Sequence, residues 1–171
     1  MKISIPFLFH YNSSTFKGIN NLIFMEKIWL KNYPKGVNES VNLDEYKSFA
    51  DFLDKGFLKF SNSVAFENMG KSITYKELDI LSQKFSLYLT EELHMEKGDR
   101  LAIQSPNVLQ YPIALFGALR SGIIVVNTNP LYTPSEMKHQ FNDSGCKTIL
   151  ILSNFAYNLE KVISETKIEH V

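Results

Sequence analysis

Lys97-Gly98-Asp99-Arg100-Leu101-Ala102-Ile103-Gln104-Ser105-Pro106-Asn107 is the stretch on which the fold turns. Its first four residues read as a turn and Leu101 to Gln104 as a strand. Ser105-Pro106-Asn107 then stops the strand and opens a helix through Arg120, with Ser105 as its cap. Gly122 suits the left-handed position after a helix end, and Ile123-Ile124-Val125-Val126 is an unbroken apolar run of the kind found in strands covered on both faces. Thr133-Pro134-Ser135-Glu136 is a capping box with proline at the first helical position, predicting a helix to about Ser144 that Gly145 ends. Thr148 to Leu152 is a third buried-type strand. Asn154 to Glu165 is amphipathic through Phe155, Leu159, Val162 and Ile163, and Ile168 to Val171 begins another strand. Repeated strand and helix units imply an α/β fold: part of a doubly wound parallel sheet with helices on both faces and right-handed crossovers. An unpaired strand at the edge of such a sheet is a liability, so the expectation is an incomplete domain.

Working upstream, Tyr46, Phe49, Ala50, Leu53, Phe57 and Phe60 fall on one face of a first helix. Ser63 to Glu67 and Ser72 to Thr74, joined by Asn68-Met69-Gly70-Lys71, read as a hairpin. Thr74 and Glu77 form a second capping box, and Leu78, Leu81, Phe85, Tyr88 and Leu89 carry the apolar stripe of the helix it opens.

The 171 residues, 44% hydrophobic, suffice for one core. Eighteen basic and eighteen acidic side chains cancel, which argues against a nucleic-acid partner. A single cysteine, Cys146, rules out an internal disulfide framework and fits a reducing compartment; its plainest reading is a small residue near a core strand. The apolar stretch Ile3 to Phe9 is short for a signal peptide, contains Pro6 and lacks a small-x-small cleavage site, and no window reaches the length of a membrane span. Residues 1–24 are therefore read as a poorly ordered extension, with Met25 as the start of the domain.

Candidate chemical motifs mostly dissolve on inspection. Ala65-Phe66-Glu67-Asn68-Met69-Gly70-Lys71-Ser72 mimics a relaxed phosphate-binding loop, but that motif needs a helix opening at its Lys-Ser pair, whereas Gly70 here belongs to a hairpin turn. His10, His94, His139 and His170 are too scattered for a zinc site. His139 and Asp143, four apart on one helix, are read as a solvated face. Ser105 has no nucleophile elbow around it. Asn127-Thr128-Asn129-Pro130-Leu131-Tyr132-Thr133-Pro134 makes a stiff loop at the carboxyl end of a parallel strand, where ligand crevices form, although a structural connection is the plainer reading.

Lys97-Gly98-Asp99-Arg100, Pro106-Asn107-Val108-Leu109-Gln110-Tyr111-Pro112, Ala114-Leu115-Phe116-Gly117, Arg120-Ser121-Gly122, Asn129 to Glu136 and Asn142-Asp143-Ser144-Gly145 together resemble the amino-terminal part of long-chain fatty-acid-CoA ligases of the adenylate-forming, AMP-binding superfamily. Met25 to Leu30 and Val64 to Leu78 extend the likeness, so that 25–171 corresponds to the first, incomplete part of the large AMP-binding domain. The resemblance implies a two-step reaction in which ATP and a carboxylate give an acyl-adenylate and coenzyme A then displaces AMP, assisted by magnesium. It also implies a long-chain fatty acid as substrate, a cytoplasmic location and peripheral association with the inner face of a membrane. The family's phosphate loop, adenine motif, ribose-binding aspartate, hinge and catalytic lysine have no counterpart here. Accordingly no catalytic, cofactor-binding or metal-binding residue is assigned, Lys71 and Lys97 included. The expectation is a ligase fragment that is inactive alone and binds none of these cofactors. The alternatives are a non-catalytic module that completes an active site with a separately encoded partner, and a stand-alone α/β binding protein.

Overall fold

The structure, a computed structural model, describes residues 26–171 apart from Leu43. The extension read at 1–24, together with Met25, lies outside the described residues. Two compact units divide at Asn42. In the first, Ile28–Asn32 form a short 3-10 turn and Lys27 pairs with Glu39 at 2.5 Å.

The second unit opens with helix α1 (Phe49–Lys59), capped by the Ser48 hydroxyl, which accepts from the Asp51 amide. Leu53 and Phe57 are its buried residues. Tyr46 precedes the helix and Phe60 caps its end, so the expected stripe is shorter than the spacing suggested. Strands β1 (Val64–Asn68) and β2 (Lys71–Thr74) pair antiparallel. Met69 and Gly70 between them both take positive φ, the geometry of a two-residue turn whose twist matches the hairpin.

Helix α2 (Tyr75–Leu87) begins with the expected box: the Thr74 amide donates to Glu77 and the Glu77 amide to the Thr74 hydroxyl. Its deeply buried face is Leu78 and Ser82, continuing to Leu89 in the wider turn Tyr88–Glu92, whereas Leu81 and Tyr88 of the expected stripe are 37% and 50% exposed. Helix α3 (Gln110–Arg120) crosses that face at Gly117. A β-carbon on Gly117 would lie 2.8 Å from the Ser82 carbonyl oxygen and 2.9 Å from the Phe85 ring. Glycine at 117 is what lets α3 lie so close to the backbone of α2.

Three parallel strands follow the predicted alternation: β3 (Arg100–Gln104), β4 (Ile124–Thr128) and β5 (Thr148–Ile151), in the spatial order β4-β3-β5. Leu101 stands beside Val125 and Thr148, and Gln104 beside Thr128 and Ile151. Successive side chains of a strand face opposite sides. Leu101 and Ile103 accordingly pack with Ala114 and Ala118 of α3, while Ala102 packs with Met137 and Phe141 of helix α4 (Pro134–Ser144). Helices therefore cover both faces.

Two expectations need correction. Ser105 does not cap α3, which starts only at Gln110 behind an uncapped Leu109; the Ser105 hydroxyl turns to the Pro106 carbonyl. β4 is covered on both faces as its apolar run implies, Val125 packing on the α3 side and Val126 on the α4 side, although it forms one edge of the described sheet and Ile124 at its start is 46% exposed. The stretch Asn154 to Glu165 is not one helix but a 3-10 turn, a short helix α5 (Ala156–Glu160) and a second 3-10 turn, although Leu159 and Val162 are buried as the pattern requires. Ile168 to Val171 does begin a further parallel pairing, through a bridge from Thr148 to His170.

The α4 cap illustrates how local chemistry fixes this frame. Thr133 and Glu136 form a complete box, Pro134 sits in the first turn, and Gly145 ends the helix at φ +68°. Hydrogen bonds from the Thr133 hydroxyl and amide hold the Glu136 carboxyl below the usual carboxylate range. A depressed carboxylate contributes stability above its unfolded pKa, and that contribution is lost as pH falls through the folded value. Thr133→Ala is expected to cost about 1 kcal/mol in urea denaturation at neutral pH. It should also return the Glu136 titration, followed by NMR, toward the ordinary range.

Candidate functional site

Loops at the carboxyl ends of β3, β4 and β5 gather the polar side chains of this unit, and in open α/β sheets this is the end where ligands bind. Gln104, last residue of the central strand, is fully buried; its Nε2 donates to the Asn129 carbonyl at 3.1 Å. Thr128, its register neighbour on β4, is also buried. On the outer side Gln140 of α4 donates to the Asn127 carbonyl, and the Tyr111 hydroxyl of α3 donates to Asn127 Oδ1 at 2.8 Å. The loop between β4 and α4 is tied down from within, where Leu131 N–H donates to Asn129 Oδ1 and Tyr132 N–H to the Asn129 carbonyl, and from α5, where Asn158 donates to the Tyr132 carbonyl. These bonds support the structural reading of the two-proline loop. Asn68 in the hairpin donates to the Asn107 carbonyl, fixing the β3–α3 connection as well.

The side-chain oxygens of Gln104 and Gln140 are buried with no hydrogen-bond partner among the described residues. A buried acceptor left alone costs about 1–3 kcal/mol, so each calls for a donor such as an ordered water. Gln140 also lines a shallow cleft of about 420 Å³ with Tyr132, Glu136, His139 and Asp143. His139 and Asp143 both lie on the exposed side of α4, and no hydrogen bond or ion pair joins them.

Gly70 and Lys71 sit in the hairpin, with the next helix opening at Tyr75, so no amide cradle forms there. Lys97 is exposed, and its methylenes pass so close to Gly122 that a β-carbon there would lie 2.9 Å from Lys97 Cγ. His94 and His170 are brought to one cleft at the opposite, amino end of the sheet, beside Arg100 and Lys147, where Lys147 pairs with Glu169 at 3.0 Å. Among the described residues no group of three or more His, Cys, Asp or Glu side chains could hold a metal ion. Cys146 is fully buried, and burial pushes its thiol up, with the Ser144 hydroxyl and Arg100 pulling the other way. No helix among the described residues is long and apolar enough to cross a membrane.

The profile of the AMP-binding enzyme family matches residues 53–171. The chain belongs to the AMP-binding enzyme family. Relatives of this AMP-binding chain include a long-chain-fatty-acid–CoA ligase of Escherichia coli O6:H1, 49% identical over 147 residues, and one of Yersinia pestis, 50% identical over the same length. Each alignment covers 86% of this chain but only 26% of the relative. Among solved structures, a long-chain-fatty-acid-CoA ligase from Archaeoglobus fulgidus superposes with a TM-score of 0.66 at 25% identity, covering 72% of this chain and 26% of that one. A benzoate CoA ligase from Burkholderia xenovorans LB400 shares the fold at a TM-score of 0.67 and 21% identity, covering 72% of this chain and 25% of its own. The AMP-binding chain thus spans about a quarter of the length of the curated relatives it matches.

Adenylate-forming members imply ATP, magnesium and coenzyme A for the full-length enzymes. Among the described residues the one Gly-Lys-Ser sequence lies in the hairpin, and no group of three or more His, Cys, Asp or Glu side chains is gathered.

Proposed function

We propose that residues 25–171 are the first part of the large domain of a long-chain fatty-acid–CoA ligase, and that residues 1–24 are an extension to it. The observation that carries this reading is the 49% identity over 147 residues to a bacterial enzyme of that name. In the reaction that follows, a fatty acid carboxylate attacks ATP to give an acyl-adenylate and pyrophosphate, and the coenzyme A thiol then displaces AMP. Groups that hold nucleotide phosphates and magnesium come from the remainder of the enzyme; this part supplies the sheet, its two helical layers and the carboxyl-end loops on which that remainder is built. The chain alone is inactive in this reading, and its work is in the cytoplasm, with peripheral contact to the inner face of the membrane where its lipid substrate enters.

The test is a chimera. Replacing the matching 147 residues of the Escherichia coli ligase by those of this chain should retain acyl-CoA formation from a long-chain fatty acid within about tenfold of the parent, since the shared core tolerates substitutions that keep volume and pattern. A folded chimera with no ligase activity would overturn the proposal, and the 171-residue chain by itself should show no ATP-dependent turnover.

A further inference from the structure

Strand β4 ends on a residue gripped from both helical layers. Val125 packs on the α3 side and Val126 on the α4 side, so alternation turns the Asn127 side chain back toward α3. There its Oδ1 accepts from the Tyr111 hydroxyl at 2.8 Å, while from the other layer Gln140 Nε2 donates to the Asn127 carbonyl at 3.1 Å. Two residues on, Gln104 of the central strand donates to the Asn129 carbonyl, and Asn129 Oδ1 accepts from Leu131 N–H at 3.0 Å. Pro130 and Pro134 fix φ at two further positions. The loop is thus held by β3, α3 and α4, yet its outward side chains stay out of the core: Asn127 and Asn129 are exposed, and Leu131 is 80% exposed. A chain path this fully determined, with an uncommitted outer surface at the carboxyl end of a parallel sheet, is the construction of a preorganised binding loop. Residues 127–134 carry no charged side chain. Phosphate is therefore a poor match for that surface, and an uncharged chain of apolar and amide groups is a good one.

We propose that Tyr111 and Gln140 are positioning residues for the ligase reaction, which through Asn127 hold the 127–134 loop where it contacts the uncharged part of a substrate, the acyl chain of the fatty acid or the amide-linked arm of coenzyme A. Neither side chain touches a reacting atom; each acts through Asn127, one on its side chain and one on its backbone. The Gln140 Oε1 is buried with no hydrogen-bond partner among the described residues, a cost of the kind met where a residue serves function ahead of stability. Small displacements of a binding loop are enough to weaken substrate capture without altering the chemistry that follows. This proposal rests on the ligase reading above.

Kinetics are measured on the Escherichia coli chimera described above, and hydrogen exchange on the full 171-residue chain. Tyr111→Phe removes one hydroxyl and leaves the ring in place. It should raise KM for palmitate or for coenzyme A about three- to tenfold, with kcat and the KM for ATP within about twofold of the parent chimera, the signature of lost binding and not of lost chemistry. In the 171-residue chain the same substitution should speed exchange of the Leu131 and Tyr132 amides at least about threefold without moving the amides of β3. Gln140→Leu should act in the same direction on both readouts. Asn127→Asp keeps an acceptor for the Tyr111 hydroxyl and should hold KM near the parent value, whereas Asn127→Leu should match Tyr111→Phe and replaces it should circular dichroism show that variant unfolded. A rise for palmitate identifies the acyl chain as the group contacted, and a rise for coenzyme A identifies its arm. Unchanged KM for both, a rise confined to ATP, or a fall in kcat alone would overturn the positioning role while an active parent chimera leaves the ligase reading standing. A folded parent chimera without activity would count against the ligase reading, and the positioning role would fall with it.

Discussion

Arg120→Ala is expected to lower stability by about 3 kcal/mol, a large share of the roughly 5–15 kcal/mol that holds a domain folded. The side chain of Arg120 is only 12% exposed and joins three helices at once. Its Nη1 donates to Asp54 of α1 at 2.7 Å, its Nη2 to Asp79 of α2, and its Nε to the buried Ser82 hydroxyl at 3.1 Å. Its guanidinium also lies 5.1 Å over the Phe57 ring, so the planar cation is used on its face as well as its edge. Truncation would leave Asp79 and Ser82 facing a void beside an aromatic core. Asp54 and Asp79, at 61% and 32% exposed, can recover water, which places the loss at the lower end of the range for broken buried pairs. Arg120→Lys should restore less than half of it, because an ammonium cannot serve three acceptors in a fork and stack on Phe57 together. Urea denaturation of the three proteins checks both numbers. Loss under 1 kcal/mol for the alanine variant would mean that helix packing, not this cation, holds α1 to α2 and α3.

That hub was not legible in the sequence, and the reason is general. Arg120 is the last residue of a helix, where a cation is expected for the dipole alone. Its partners lie 66 and 41 positions upstream, on helices whose relative placement no local pattern fixes. Ser82 carried no signal either: a serine inside an apolar stripe reads as a lapse in periodicity until its hydroxyl is seen to accept from Arg120. What could be read were features whose cause is local. Both capping boxes, the left-handed glycines at 122 and 145, the hairpin turn and the alternation of β3 depend on residues within four positions of one another, and all are present. Ser105 as a cap and the single helix from Asn154 failed because loop path and tertiary contact overrode propensity there.

The polar floor of the carboxyl-end loops was legible only in part. A stiff two-proline connection could be inferred, but the isolated acceptors on Gln104 and Gln140 could not, since each glutamine merely ends or continues an ordinary pattern. Gln104 had one weak sign in retrospect: it is the polar residue of a strand otherwise buried and apolar from Leu101 to Ile103. Function became legible by resemblance over a long run of residues and not by any motif for catalysis.

Phe141→Ala should cost about 3–5 kcal/mol, at the upper part of that span, because its surroundings have little freedom to collapse. Phe141 is fully buried among Ala102, Met137, Ile149, Leu159 and Val162, on the face of the sheet opposite α3. Helix α4 cannot simply sink into the space. Its start is held by the Thr133 box, its middle by the pair of Lys138 with Glu165, and its second half by Asn142 donating to the Glu165 carbonyl at 3.0 Å. With the helix held at three points, the cavity persists and the lost ring contacts are not replaced. Cys146, in the same core and otherwise inaccessible, reports the consequence. If labelling of its thiol requires opening of this core, each 1.4 kcal/mol lost should speed reaction with a thiol reagent about tenfold, giving roughly a hundredfold or more for Phe141→Ala. Phe141→Leu, which keeps most of the volume, should lose less than half as much stability. Fast labelling in the unsubstituted chain would show instead that the α4 face opens locally without unfolding, and the link between thiol rate and core stability would fail.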